Sequence, residues 1–392
     1  MTGSKYTYPI WSIARREMRR LVGRPIYLFC MLIAPAICIV FFLSLMREGL
    51  PTNLPIAVVD MDNSATSRNL ARQLNTMEQT GVILTTTSFS EARREMQKGN
   101  VYGIFYIPAD FATLAATGKQ PNLSFYTNST YLIAGSLLFR DMKMMSVLAG
   151  ASVGKQMGTA KGVPTAQIMG QLQPIVVDTH PIGNPWLNYS VYLNNTLLPG
   201  VLQLMIFFVT VFSIGLEIKQ GTAREWLGMG GQSITVSLLG KLLPHTVIFT
   251  LVGFMCSAVM YGMNAFPLLS GWAPMLSAMF LLVIASQAVG VFMIGVLPTL
   301  RLGLSFASLF GMISFSIVGF SFPVLDMHPM LQALSQLFPL RHYFLIYIDQ
   351  ALNGRELFYT WGEYVYLLGF LILPLLIARN LKGALLYFKY IP

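Results

Sequence analysis

The sequence predicts an α-helical polytopic membrane protein of six transmembrane helices, both termini inside, with an extracytoplasmic α/β domain inserted between spans 1 and 2. Three observations predict it. Of 392 residues, 54% are hydrophobic and only 11% are charged, against about 25% charged in soluble domains. The apolar residues gather into runs of ~20 or more, long enough to cross a bilayer core as helices. One interval between these runs is long and polar, with short strand-like and helix-like stretches in alternation. The net charge of +10 suits a nucleic-acid binder at first sight. However, the Lys and Arg cluster beside the apolar runs, and no basic patch is interleaved with aromatics, so a basic membrane rim is the reading and nucleic acid is not a partner.

Residues 1–25 read as a cytoplasmic amphipathic helix lying against the membrane. On a helical wheel Trp11, Ala14, Met18, Leu21 and Val22 gather on one face, and Arg15, Arg16, Arg19 and Arg20 on another. Span 1 is 26–46, with Pro35 as a kink. Residues 47–190 form the α/β domain: strands at 55–60, 82–89, 101–107 and 122–127, helices at 64–75, 90–98 (Ser90 as N-cap) and 109–117, and a long helix from Tyr131 to about Lys155. The chain returns towards the membrane through Pro174, Pro181 and Pro185. Residues 191–392 hold spans 2–6, near 193–216, 238–263, 274–297, 302–322 and 361–378. Between spans 2 and 3 an abruptly polar turn, 217–237, must lie in water. Residues 323–355 are too broken by proline for a span and too apolar for a free loop, so they read as an outer re-entrant hairpin whose backbone needs protein cover.

The short loops set orientation. Lys5, Arg15, Arg16, Arg19, Arg20, Arg24, Lys219, Arg224, Lys241, Arg301, Arg379, Lys382 and Lys389 fall on one side, against Arg341 and Arg355 on the other. The basic side is the inside, and the long domain between spans 1 and 2 is outside. The N-terminal apolar run reads as a retained signal anchor, and Cys30, Cys38 and Cys256 as buried small hydrophobes without a disulfide framework.

Chemistry is sparse. No phosphate-binding loop is present, since Gly240-Lys241-Leu242 lacks the upstream glycine and the Ser/Thr. His180, His245, His328 and His342 have no metal-ligand spacing, and no nucleophile–base arrangement appears, so catalytic and metal residues are not expected. Apart from Glu363 near the start of span 6, the spans lack the Asp, Glu and Arg an ion-driven carrier would need, with Lys241 and His245 near one end. Any transport would draw its energy from another chain. Thr196, Gln203 and Thr210 repeat every seventh position along span 2, and Gly303, Ala307 and Gly311 make a small-residue row on span 5. These faces either pack within one subunit or line a pathway against a second copy.

Four stretches resemble the type-2 ABC exporter permeases with a large extracytoplasmic domain: "ARREMRRLVGRP" (14–25), "NPWLNYSVYLNNTLLPG" (184–200), "EIKQGTAREWL" (217–227) followed by Gly240-Lys241, and "GFSFPVLDMHPMLQALSQLFPLRHY" (319–343). The resemblance implies two permease copies and two ABC ATP-binding subunits in a bacterial cytoplasmic (inner) membrane. ATP and Mg would lie on the partner and no cofactor on this chain. It makes Glu217, Lys219, Gly221, Thr222, Arg224 and Glu225 the ATPase-coupling loop, and Arg15, Arg16, Glu17, Arg19 and Arg20 the interface helix. Ala223-Arg224 and Gly228 to Gly231 depart from the acidic and β-branched residues expected there, which bears on the choice of ATPase. Spans so poor in charge suit apolar or amphipathic cargo such as drugs, lipids or lipid-linked molecules. A non-transporting scaffold or receptor that binds through its outer domain is the alternative, and a secondary carrier a more distant one.

Overall fold

The computed structural model describes residues 4–172, 180, 182–185 and 187–387. The return at Pro174 and Pro181, and Lys389, lie outside the described residues. The chain forms two compact units, residues 1–47 with 181–392, and residues 48–180.

The first unit begins with α1 (Ser4–Gly23). It stops because a residue before proline avoids helical backbone: Arg24 is extended (φ −131°, ψ 116°), and Pro25 occupies the first turn of the next helix. That helix, α2 (Pro25–Leu45), contains a π-helical turn at Phe29–Ile33, just ahead of Pro35. The proline ring collides with the carbonyl four residues back and offers it no N–H, and the wider turn is how the expected kink is accommodated.

The second unit is a four-stranded sheet in the order β2-β1-β3-β4. Its elements run β1 (Leu54–Asp60), α3 (Ala65–Leu74), β2 (Thr80–Thr86), α4 (Phe89–Gln97), β3 (Gly103–Ile107), α5 (Phe111–Ala116), β4 (Ser124–Thr127), α6 (Leu132–Ala160) and α7 (Thr165–Leu172). β1 pairs parallel to both β2 and β3, and β4 closes the edge antiparallel to β3. Both faces of β1 are covered, which is why it reads as a continuous apolar run. Ile56 and Val58 pack with Leu70, Leu74, Leu138 and Met142. Ala57 and Val59 pack with Ala92 and Ile104 on the other face. A capping box between Ser64 and Ser67 starts α3. The cap of α4 is Ser88, not Ser90: its hydroxyl accepts from Glu91 N at 3.4 Å, so Ser90 already lies inside the helix. The sequence reading also missed α7, which is held where Leu172 and Ile168 crowd Gly154 and Gly158 of α6.

The first unit resumes with α8 (Tyr189–Lys219), α9 (Ala223–Met229), α10 (Ile234–Met263), α11 (Trp272–Val296) and α12 (Leu300–Ile317). Two short helices, α13 (Pro329–Ser335) and α14 (Pro339–Ile346), precede α15 (Leu357–Tyr387). Among the described residues, six helices (α2, α8, α10, α11, α12 and α15) are long and apolar enough to cross a membrane. α8 and α11 form the centre of the bundle, 67% and 72% buried along their most apolar stretches, against 39% or less for the other four. α12 ends five residues earlier than the apolar run suggests. Gly319 follows at φ +109°, and Arg341 Nη1 donates to the Val318 carbonyl at 2.9 Å, so a cation serves the open end. In the 323–355 segment the second arm carries the burial. Phe338, Leu340, His342, Tyr343 and Tyr347 are enclosed, while Leu325 and Met330 on the first arm are exposed. His342 Nδ1 lies 2.7 Å from Glu363 Oε2 and Nε2 lies 3.0 Å from the Gln336 carbonyl, a local hydrogen-bonding histidine.

Candidate coupling site

The spacing Glu217-x-x-x-Gly221-Thr222 has a backbone cause. At the end of α8 the amide of Thr222 donates to the Glu217 carbonyl at 3.1 Å and that of Gly221 to the Ile218 carbonyl at 3.3 Å. This is the Schellman pattern, and it requires its penultimate residue in the left-handed region. Gly221 sits there at φ +69°, where a side chain would be strained. The same turn brings the Thr222 hydroxyl onto the Glu217 carboxylate, to which it donates. Helix termination and side-chain placement are thus one event.

Glu217 does not lie in water, contrary to the sequence expectation for this turn. It is 0% exposed, and Glu17, Lys241 and His245 beside it are 1%, 1% and 0% exposed. Arg16 grips Glu217 with two parallel bonds, Nη1 to Oε1 at 2.7 Å and Nη2 to Oε2 at 3.2 Å. Arg20 donates to the same carboxylate. Lys241 Nζ bridges the two acids, 2.6 Å from Glu17 Oε2 and 2.9 Å from Glu217 Oε1. His245 Nε2 stands 3.2 Å from Glu17 Oε1. The Lys241 ammonium also lies 5.1 Å from the Trp226 ring centroid, and Trp226 Nε1 donates to the Ser237 carbonyl at 3.2 Å. The charges are buried because each has an opposite partner and hydrogen bonds that replace its water. Burial alone would raise the Glu17 pKa, but Lys241 and His245 outweigh it and bring the carboxyl from its ordinary 4.5 down to about 2. Burial likewise opposes the charge on Arg16, and the Glu217 carboxylate overcomes it, raising that pKa.

This cluster fastens α1 to the ends of α8 and α10. The close approach of α1 to α10 depends on Gly240, where a Cβ would stand 2.9 Å from Ile13 Cβ and 3.0 Å from the Ile10 carbonyl oxygen. Gly240→Leu should therefore prise α1 away and cost about 1–3 kcal/mol. A melting temperature of the detergent-purified protein equal to wild type would refute this packing.

The structure divides both predicted residue sets. Arg16, Glu17 and Arg20 turn inward to the cluster, while Arg15 and Arg19 face out. The wheel read from sequence is corrected accordingly. Ala14 and Leu21 are buried, but Trp11, Met18 and Val22 share the exposed arc with Arg15 and Arg19, because the buried carboxylate draws the other two arginines inward. From the polar turn, Thr222 and Glu217 join the cluster, and Gly221 shapes it. Lys219, Arg224 and Glu225 are exposed, Arg224 reaching the Leu386 carbonyl at 3.3 Å and Glu225 lying 3.8 Å from Arg16 Nε. Trp226, Lys241 and His245 complete the site. Sequence reasoning left them out; the signal available was a Lys and a His one turn apart inside an apolar run, which demands a counter-charge.

Thr196, Gln203 and Thr210 do share one face of α8, but the chain's own helices cover it, and all three are 0% exposed. Gln203 Nε2 donates to Ser314 Oγ on α12 at 3.2 Å, and the Thr210 side chain fills the space beside Gly290 on α11. On α12, Gly303 admits Val211 and Ile294, Gly311 admits Leu204, and Ala307 is buried. In this conformation both rows serve packing inside one subunit.

The fold and the site together define a polytopic helical membrane protein whose juxtamembrane helix is held to a polar turn by buried ion pairs. Residues 25–379 match the family described as ABC-2 family transporter protein, and the chain belongs to that family. Over 382 residues it is 21% identical to the "Probable multidrug ABC transporter permease YbhR" of Escherichia coli strain K12, spanning 96% of this chain and 97% of that protein. The same figures hold for the protein of that name from Escherichia coli O157:H7. The molecule is a transporter subunit of the permease type.

Proposed function

We propose that this chain is the permease subunit of an ATP-driven exporter, working as a pair of copies with separate ATP-binding subunits that carry the ATP and Mg. In this reading it lies in a bacterial cytoplasmic membrane with both termini inside, the α/β domain outside and the 323–355 hairpin at the outer face. The cargo is apolar or amphipathic, in keeping with spans poor in charge and with the multidrug description of its relative.

The observation that carries the proposal is the buried cluster. A force applied to the exposed side of α9, at Arg224 and Glu225, reaches Glu217 at the end of the central helix α8 through one glycine turn. Through Glu217, Lys241 and Glu17 it reaches α10 and α1, and α1 leads directly into α2. A rigid link between a water-facing helix and three spans is what an external motor requires.

The test is co-purification followed by reconstitution. A stoichiometric ATP-binding subunit should accompany the chain, and the Arg224→Ala/Glu225→Ala variant should lower transport-coupled ATPase several-fold. Both residues are exposed, so its melting point should stay within the small range typical of surface changes. Absence of any ATP-binding partner, or unaltered coupling in a variant that is well folded, would return the scaffold reading. Uphill transport by this chain alone in liposomes would end the proposal.

A further inference from the structure

We infer that the groove between α1 and α10 is a binding site for one anionic phospholipid, with the headgroup phosphate held by Arg15 and Arg19 and an acyl chain lying along Leu243 and Val247. The groove encloses about 1090 Å³, and these four residues line it together with Trp11 and Met18. Two independent features define its ligand. The first is charge. Arg15 and Arg19 are one helical turn apart on the exposed arc of α1 and, among the described residues, no acidic side chain pairs with either. Glu225, at the edge of the groove, is turned towards Arg16.

The second is the apolar wall. Leu239, Leu243, Val247, Leu251 and Met255 are 58%, 38%, 52%, 62% and 48% exposed, a stripe at every fourth residue along a helix long enough to span a bilayer. Such a stripe is what lipid covers, so the groove opens on the side where acyl chains are. At its end Trp11 and Val22, 69% and 83% exposed, flank the arginines, the composition of a helix seated at the headgroup level. A soluble partner could meet the arginines but not the wall. A phospholipid with a net negative headgroup meets both.

The experiment uses the full chain in detergent and phospholipids brominated on the acyl chain, read by quenching of tryptophan fluorescence. Wild type should bind phosphatidylglycerol in preference to phosphatidylcholine by about 30-fold, the effect of two basic residues at a membrane surface. Arg15→Gln/Arg19→Gln should reduce that preference to a few-fold with its melting point unchanged, and Trp11→Phe should remove most of the quenching. Arg301→Gln, which changes a basic residue elsewhere, should leave the preference intact, and excess inorganic phosphate should not displace the lipid. The inference is overturned if the double variant keeps the wild-type preference, if Arg301→Gln lowers it equally, or if phosphate competes as well as lipid. It is overturned too if the double variant loses only an associated ATP-binding subunit, which would make this a protein-docking face.

Discussion

Glu217→Gln should destabilise the protein by about 3–5 kcal/mol, because it strands buried cations rather than merely deleting a contact. Arg16, Arg20 and Lys241 converge on that carboxylate, and with it gone Glu17 is, among the described residues, the one buried acid left beside them. Against a typical total stability of 5–15 kcal/mol this is a large loss, and low yield with early melting in detergent is the expected result. Glu225→Gln, a few residues away on an acid whose side chain is 66% exposed, should shift stability by less than about 0.5 kcal/mol. Lys241→Met should be similarly damaging alone. Combined with Glu217→Gln it should cost less than the two changes added, since removing both charges leaves fewer unmatched. Strict additivity in that cycle, or a Glu217→Gln protein as stable as wild type, would show that the cluster is not one unit. For the same reason Glu217 is the wrong residue on which to test coupling: its loss would be felt as misfolding before any effect on transport.

The second large effect is on acid stability. Glu17 titrates near 2 in the folded protein and near 4.5 when unfolded. A depressed folded pKa gives stability that is fully present above the unfolded value and is lost as pH falls through the folded one. The difference corresponds to about 3 kcal/mol, constant at neutral pH and disappearing between roughly pH 4.5 and 2. Melting temperatures of wild type measured downwards from pH 7 should hold level and then fall across this window. Glu17→Gln should be less stable at neutral pH and should lack that part of the acid slope. If the two curves run parallel, Glu17 is not the group that titrates.

The sequence was most legible where one physical constraint acts alone. A bilayer core favours long helices poor in charge, so the apolar runs announced all six candidate spans, with ends displaced by up to nine residues, in one case where Arg341 caps the Val318 carbonyl. Strand and helix alternation located every strand of the small sheet, because β1 buried on both faces must be apolar throughout. The Glu-x-x-x-Gly-Thr spacing was visible too, since a Schellman turn fixes its glycine by backbone geometry that is local in sequence.

What the sequence by itself determined, then, is the class of molecule: how many times it can cross a membrane and where its polar inserts lie. Only the tertiary structure decided which charges are partners. Glu17 and Lys241 are 224 positions apart, Arg16 and Glu217 201, and no periodicity relates them. Burial of an ion depends on the counter-ion brought to it by folding, so the same glutamate reads as a water-facing residue along the chain and as the enclosed centre of a charge cluster in space.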